Sequence, residues 1–493
     1  MRYIPIVSHQ LPQPSSVMQR KVENLAADLL IENLELQLDE SLRAYLPTGN
    51  TDGPALHIDD LTEISMIDHE GDPTFYQDRG RLRAGSEDTI VTCSRPVPGY
   101  EEYCTEQLGL GDPQWLRPAD PHNSLHVAEA AWQDREVRRE LTRRIRDGRL
   151  SYIHPHMGSK AVWQLAKLLH DASHRPIPVL AATPGLCRWA NDKVQFTQTA
   201  KRLFGEGLVP MTLSAWNYAN AAKHARAIAE QAEVVGLKVP DSAGSGGNVV
   251  LPSTKLRGKS LLEIERLLEK EFTAIGWTGN QPLLVSAWEE DVLNSPSAQL
   301  WIPADVDEPP VVEGVFVQAT LGAEAKFVGN QPAQLPHALA NEIVDRCWLL
   351  GRLFQLLGYV GRCSFDLILI GDSFQNSRIE FIECNGRWGG TSLPMTLMNR
   401  LFGDFAQQPY ASHVCSIPGL NAISFRALVG DLGNDLYDSR TGNGRFILFN
   451  PGRMRELAGV SVIGLGETWE AAQVTAFTDF PKLVTQLLAS QTA

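Results

Sequence analysis

The chain has 493 residues, a formal net charge of −14, 43% hydrophobic and 21% charged residues, a composition that excludes a disordered majority and is too long for one ordinary core. Acidic balance argues against a nucleic-acid partner, which needs a basic face, and no apolar run is long enough to span a bilayer, so no membrane role is expected. Seven scattered cysteines without CxxC or other metal spacing, and the absence of a signal-peptide pattern, point to a reducing cytoplasm.

Residues 1–183 predict an α/β domain. Strands are expected at Tyr3–Val7, Asp88–Cys93, Trp115-Leu116 and Leu150–Ile153, and helices at Val17–Leu34, Glu101–Leu110, Ala128–Asp147 and Ala161–His170. Such alternation implies a mostly parallel sheet covered on both faces, with ligands beyond the carboxyl ends of its strands. The turns after Val7, Cys93 and Ile153 are therefore candidate substrate contacts. Among them, His154-Pro155-His156 carries two histidines but no third soft ligand nearby, so a helix-start loop is the plainest reading and a substrate-cleft role the next. The basic run Arg135–Arg149, interrupted by Glu136, Glu140 and Asp147, reads as a solvated helix face.

Further along, Asn191 or Asp192 can cap a helix with apolar positions Val194, Phe196, Ala200 and Leu203. Taken alone, Lys193 is a solvated first-turn lysine. Val234–Pro240 reads as a short buried strand carrying Lys238, and Asp241–Asn248 as a Gly/Ser loop before a second strand at Val249–Leu251. Bare backbone N–H groups in such a loop suit a polyanion, although no Walker A pattern is present and a simple turn is the commoner use. A strand at Leu283–Trp288 ends in Glu289-Glu290, and Ser295–Ile302 reads as the next strand of the same half, continued by Val315–Val317 and Lys326–Gly329. The helix Leu261–Phe272 follows the loop, and the helix His337–Leu357 carries an apolar stripe for core packing.

Two apolar runs, Leu367–Ile370 and Ile379–Ile382, flank a polar turn at Asp372–Ser377. Paired as a hairpin, they bring Asp366 to Glu383 and Asn385. Residues two apart share a strand face, so Glu383, Asn385 and Arg387 can point the same way. Hard Mg²⁺ takes carboxylate and amide oxygens together with phosphate oxygens, and an adjacent arginine can grip phosphate with two hydrogen bonds. The tail predicts a small α+β appendage, with strands at Ala422–Val429, Arg445–Phe449 and Val460–Ile463 and helices from Thr468 and at Phe480–Leu488.

The order Lys193, Lys238 with its glycine-rich loop, Leu283–Trp288, Asp366 and Glu383-x-Asn385-x-Arg387 resembles the ATP-grasp superfamily over Pro184 to Phe402. An α/β domain placed ahead of it resembles the pre-ATP-grasp arrangement, including the peptide ligase type of the pheganomycin pathway. The resemblance implies a pre-ATP-grasp domain at 1–183, a two-lobed ATP-grasp core at 184–410 and the appendage at 411–493. Within the core, a nucleotide-covering lobe is expected at about 208–290 and a metal-binding lobe at about 291–410. It implies ATP contacts from Lys193, Lys238, Ser242, Gly244, Ser245, Gly246, Gly247, Ser286, Ala287, Trp288, Glu289 and Glu290, with the choice of ribose acid between Glu289 and Glu290 open. Mg²⁺, with Mn²⁺ able to substitute, would sit on Asp366, Glu383 and Asn385. Arg387 would stabilise charge, sharing an acyl-phosphate clamp with Arg362, and Lys238 would act on the phosphates. The implied activity is a carboxylate–amine ligase acting on small amino-acid or peptide-like substrates, with homodimerisation as the superfamily often shows. An ATP-grasp phosphotransferase and a non-catalytic nucleotide-binding protein are the alternatives.

Overall fold

A computed structural model describes residues 14–49, 51–65, 73–119, 124–240, 242, 247–275, 277, 282–322 and 325–492. The strand expected at Tyr3–Val7 and the loop residues Gly244, Ser245 and Gly246 lie outside the described residues.

Among the described residues, the N-terminal part holds a four-stranded parallel sheet in the order Gln114–Leu116, Thr89–Val91, Ala55–Ile58 and Tyr152–Pro155. The central strand Ala55–Ile58 went unrecognised in the sequence, because four residues interrupted by a buried His57 show no alternation to detect. Its carboxyl end leads into Asp59 and Asp60, both buried. The long charged helix expected at Ala128–Asp147 is two helices, Val127–Gln133 and Arg135–Arg146. They divide at Asp134, whose carboxylate caps the second by accepting from the N–H groups of Glu136 and Val137.

A second four-stranded sheet, all antiparallel, runs Thr212–Ala215, Leu283–Ala287, Val234–Lys238 and Asn248–Pro252. The helices Tyr218–Ala229 and Leu261–Ala274 cover one face of it, with Ala222, Ala225, Ile264, Leu268 and Phe272 buried against the strands. Lys238 is the last residue of its strand, at the end that leads into the glycine-rich loop.

Among the described residues the third sheet has nine strands and includes Arg378–Asn385, Gly361–Ile370, Pro296–Ile302, Val311–Leu321 and Lys326–Pro332 in that order. Pro296–Ile302 therefore does not continue the sheet of Leu283–Ala287 as expected; it lies between Gly361–Ile370 and Val311–Leu321. The sheet goes on through Tyr410–Ser416, Gly459–Leu465 and Phe446–Phe449, joined to the rest by the pairing of Gly329 with His413. The α+β tail is thus hydrogen-bonded into the same sheet as the candidate metal residues. Its expected strand at Ala422–Val429 is a helix, Phe425–Leu432, capped by Ser424. Phe425, Leu428 and Leu432 are its buried positions, a spacing of three and four that suits a helix face.

Behind the large sheet packs the helix His337–Leu356, which buries Ile343, Cys347, Leu350 and Phe354 as its stripe predicts. Phe354 meets Phe365 edge-on at 5.4 Å, locking the helix to the strand that carries Asp366. All seven cysteines are free and buried, and no helix among the described residues is long and apolar enough to cross a membrane. Phe354 is fully buried, so Phe354→Ala should lower unfolding stability by about 3–5 kcal/mol through the cavity it opens. Urea denaturation measures this, and a loss below about 1 kcal/mol would mean the site collapses without penalty.

Candidate active site

The strands Gly361–Ile370 and Arg378–Asn385 form the expected hairpin, with Asp366 opposite Glu383 and Ser364 opposite Asn385. A register shift between Asp366 and Leu367 turns the chain locally at the acid. Asn385 Nδ2 donates to Asp366 Oδ2 at 3.0 Å, and the Ser297 hydroxyl, from the neighbouring strand, donates to Asp366 Oδ1 at 2.6 Å. Burial, and then the charge of Glu383, push the Asp366 carboxyl up to about 7. Burial acts the same way on Glu383, but Lys193 and then Lys238 and Arg387 outweigh it and hold that carboxyl below its ordinary value. Two facing carboxylates and an amide oxygen make an all-oxygen donor set, and their repulsion is what a divalent cation relieves, so these three residues fit Mg²⁺. Cys384, between them in sequence, faces the core and is 3% exposed.

Lys193 reaches this pair from the opposite wall. Asp192 caps the helix Lys193–Phe204 through the N–H groups of Val194 and Gln195. The lysine is not the solvated first-turn residue that its local sequence suggests; it is 6% exposed. Its ammonium lies 2.9 Å from Glu383 and donates to the carbonyls of Pro240 and Ser242 at 3.2 and 3.1 Å. One side chain thereby ties the hairpin of Asp366 and Glu383 to Pro240 and Ser242 at the start of the glycine-rich loop. Lys238 lines the same cleft, 5.1 Å from the Trp288 ring centroid. Burial lowers its pKa to about 8, with Glu383 opposing and Lys193 adding to the shift. Ser242 is buried and Gly247 packs on it so closely that a Cβ there would come within 2.6 Å of the serine side chain.

Just after the strand Leu283–Ala287, Trp288 lies over Gly236, where a Cβ would meet the indole at 2.5 Å. Ala287, Trp288, Glu289 and Glu290 line the cleft, whereas Ser286 is buried and its hydroxyl donates to O of Gly236, its partner on the neighbouring strand, at 3.4 Å. Glu289 pairs with Arg378 at 2.8 Å, and Glu290 is exposed at the cleft wall.

Arg387 is positioned by Asn191, which the sequence offered only as a cap. Asn191 Oδ1 accepts from Gly386 N at 3.1 Å and from the Arg387 guanidinium, and its Nδ2 donates to Cys187 O at 2.8 Å. No local pattern reveals this contact, which spans almost 200 positions. Arg362 is a correction to the expected clamp: it is buried, pairs with Glu313 and faces the Trp388 and Trp301 rings at 4.9 and 5.4 Å, away from the cleft lining. Trp388 is itself buried against His154 and Arg83, and its backbone N–H donates to His156 O at 3.0 Å, so it fastens the core to the N-terminal sheet. His156 reaches the cleft; His154 does not. Tyr76, Arg79, Asn450 and Arg453 also line it, unflagged in the sequence because they come from distant segments. The cleft as a whole encloses about 1170 Å³.

Gly386 is buried, so Asn191→Ala leaves its N–H without a partner and should lower stability by about 1–3 kcal/mol. Chemical denaturation checks this; an unchanged midpoint would show that the asparagine is not a strut.

Residues 78–170 match the family described as the pre ATP-grasp domain. No curated protein matches the chain by sequence. Among solved structures, an N5-carboxyaminoimidazole ribonucleotide synthetase in complex with ADP is 12% identical with a TM-score of 0.51, over 90% of this chain and 98% of its own. The N5-carboxyaminoimidazole synthetase of Staphylococcus aureus, complexed with ADP, is 9% identical with a TM-score of 0.51, over 88% and 98%. The pyruvate carboxylase of Rhizobium etli is 14% identical with a TM-score of 0.50 over 89% of this chain and 39% of its own. Residues 78–170 thus match the pre-ATP-grasp domain, and the chain shares its fold with the two ADP-bound synthetases.

Proposed function

We propose that the protein is an ATP-dependent carboxylate–amine ligase that forms an amide or peptide bond on an amino-acid or peptide-like acid. The observation that carries this reading is the meeting of Lys193, Lys238, Asp366, Glu383, Asn385 and Arg387 on one cleft. The shared fold, seen with ADP in the two synthetases, supports it.

In this reading Lys193 and Lys238 bind phosphate oxygens, and the backbone around Ser242 and Gly247 closes over them. Trp288 offers the adenine an apolar face, and Glu290, free of the Arg378 pairing that engages Glu289, takes the ribose hydroxyls. Mg²⁺ on Asp366, Glu383 and Asn385 would neutralise charge on the phosphates. A carboxylate oxygen of the substrate attacks the γ-phosphorus, the bond to the β,γ-bridging oxygen breaks, and ADP departs. Arg387 stabilises the charge on the transferred group and orients the acyl phosphate. An amine nitrogen then attacks the carbonyl carbon, phosphate leaves with the C–O bond's electrons, and the amine's proton passes to solvent.

With hydroxylamine as the amine and pooled amino acids and dipeptides as acids, the expected products are a hydroxamate with equal ADP and phosphate. ADP accompanied by a stable phosphorylated compound would overturn the ligase reading in favour of a phosphotransferase. Lys238→Ala should weaken ADP binding more than about tenfold, the scale of a hydrogen bond to a charged group. Calorimetric titration reads it, and wild-type affinity would remove Lys238 from the phosphate site.

A further inference from the structure

We propose that the end of the cleft between His156 and Asn450 is the subsite for the second substrate, an uncharged primary amine that carries an apolar substituent. The amine's role rests on the ligase reading, while the subsite itself stands on residues outside the nucleotide and metal positions. Asn450 and Ser461 belong to the C-terminal part of the chain, which thereby takes a share in substrate choice.

Three polar atoms at this end are buried without a hydrogen-bond partner: His156 Nδ1, Asn450 Oδ1 and Ser461 Oγ, on residues 4%, 4% and 1% exposed. All three residues line the cleft. Ser461 pairs with Phe449 across the strands and Asn450 follows Phe449, so the two are neighbours on one wall. The 3₁₀ helix Pro73–Leu82 connects that wall with His156: a Cβ on Gly452 would come within 2.6 Å of Phe75, and the guanidinium of Arg79 acts on the imidazole. Buried polar atoms are satisfied in the great majority of cases, so three on one stretch of the cleft point to a ligand that satisfies them.

The chemistry of the atoms identifies the ligand. An amide oxygen only accepts a hydrogen bond, a hydroxyl oxygen is able to accept one, and a neutral imidazole accepts at one of its nitrogens. Burial, and then Arg79, Arg83 and Arg387, hold His156 well below its ordinary pKa and so uncharged at neutral pH. The group that answers all three atoms is a donor of N–H bonds. The same guanidinium charge disfavours an ammonium and favours the free amine, whose nitrogen keeps the lone pair that attack on an acyl phosphate requires. The substituent follows from the sheet. Val414, Ser461 and Phe449 stand opposite one another on three adjacent strands, so their side chains share a face, and all three line the cleft. A nitrogen bound at Ser461 and Asn450 therefore has apolar side chains beside it.

The test titrates the full chain, saturated with ADP at neutral pH, with phenylacetohydrazide, methyl phenylacetate and acetohydrazide. The first is an uncharged N–H donor with a ring, the second keeps the ring without a donor, and the third keeps the donor without the ring. Phenylacetohydrazide should bind more than about tenfold tighter than either of the others. Asn450→Gly, which suits the left-handed backbone at φ +50, and Ser461→Ala should each cut the preference over the ester by about fivefold or more while keeping ADP affinity. Asn450→Asp keeps an acceptor and should retain the preference. Equal binding of the hydrazide and the ester, equal binding of the two hydrazides, or a preference untouched by both Asn450→Gly and Ser461→Ala would overturn the subsite. The two readings fail separately. A hydrazide preference that depends on Asn450, with no hydroxamate from the acid pool, would retain the subsite and refute the ligase, and hydroxamate formation with no hydrazide preference would do the reverse.

Discussion

Burying charge is expensive unless each charge is answered, and the ion pair between Lys193 and Glu383 is where this protein meets that constraint. The pair joins the first turn of one helix to the end of the hairpin that carries Glu383, and its ammonium also holds the carbonyls of Pro240 and Ser242. Three chain segments are thereby fixed around one nitrogen atom. Lys238, its pKa lowered to about 8 by burial, and Asp366, raised to about 7, sit at the edge of the same balance. Adding a cation beside the acids and a polyanion beside the lysines would let each group take its ordinary charge. In the function proposed above, a metal–phosphate ligand would complete this balance.

A second junction holds the domains together. Trp388 follows Arg387 and its indole lies among Arg83, Arg362 and His154, while its backbone N–H donates to His156 O. Arg83 and Arg362 are each buried with a carboxylate, Asp59 and Glu313 respectively. The indole thus covers two ion pairs, one from the N-terminal domain and one from the large sheet. Removing either acid would leave an uncompensated buried guanidinium under the residue next to Arg387, which links the stability of this interface to the geometry of the site.

The hairpin of Asp366, Glu383 and Asn385 was legible because its signal is local: period-two spacing places the three on one face once the two runs pair. The parallel N-terminal sheet and the stripe of His337–Leu356 were legible for the same reason. What escaped depends on partners far away in sequence. Lys193 looks solvated until Glu383 is brought to it, Asn191 looks like a cap until Gly386 approaches, and Arg362 looks like a clamp until Glu313 claims it. Ala55–Ile58 was too short to show a pattern, and Ala422–Val429 has enough apolar residues to suggest a strand although its buried positions follow a helical period.

The central claim, that the acids facing Lys193 and Lys238 couple a metal to nucleotide phosphates, is tested most directly by measuring ADP affinity with and without Mg²⁺ in the wild type and in Glu383→Gln. The account predicts that Mg²⁺ strengthens ADP binding to the wild type and has little effect on the variant. Equal Mg²⁺ enhancement in both proteins would contradict it and place the metal elsewhere.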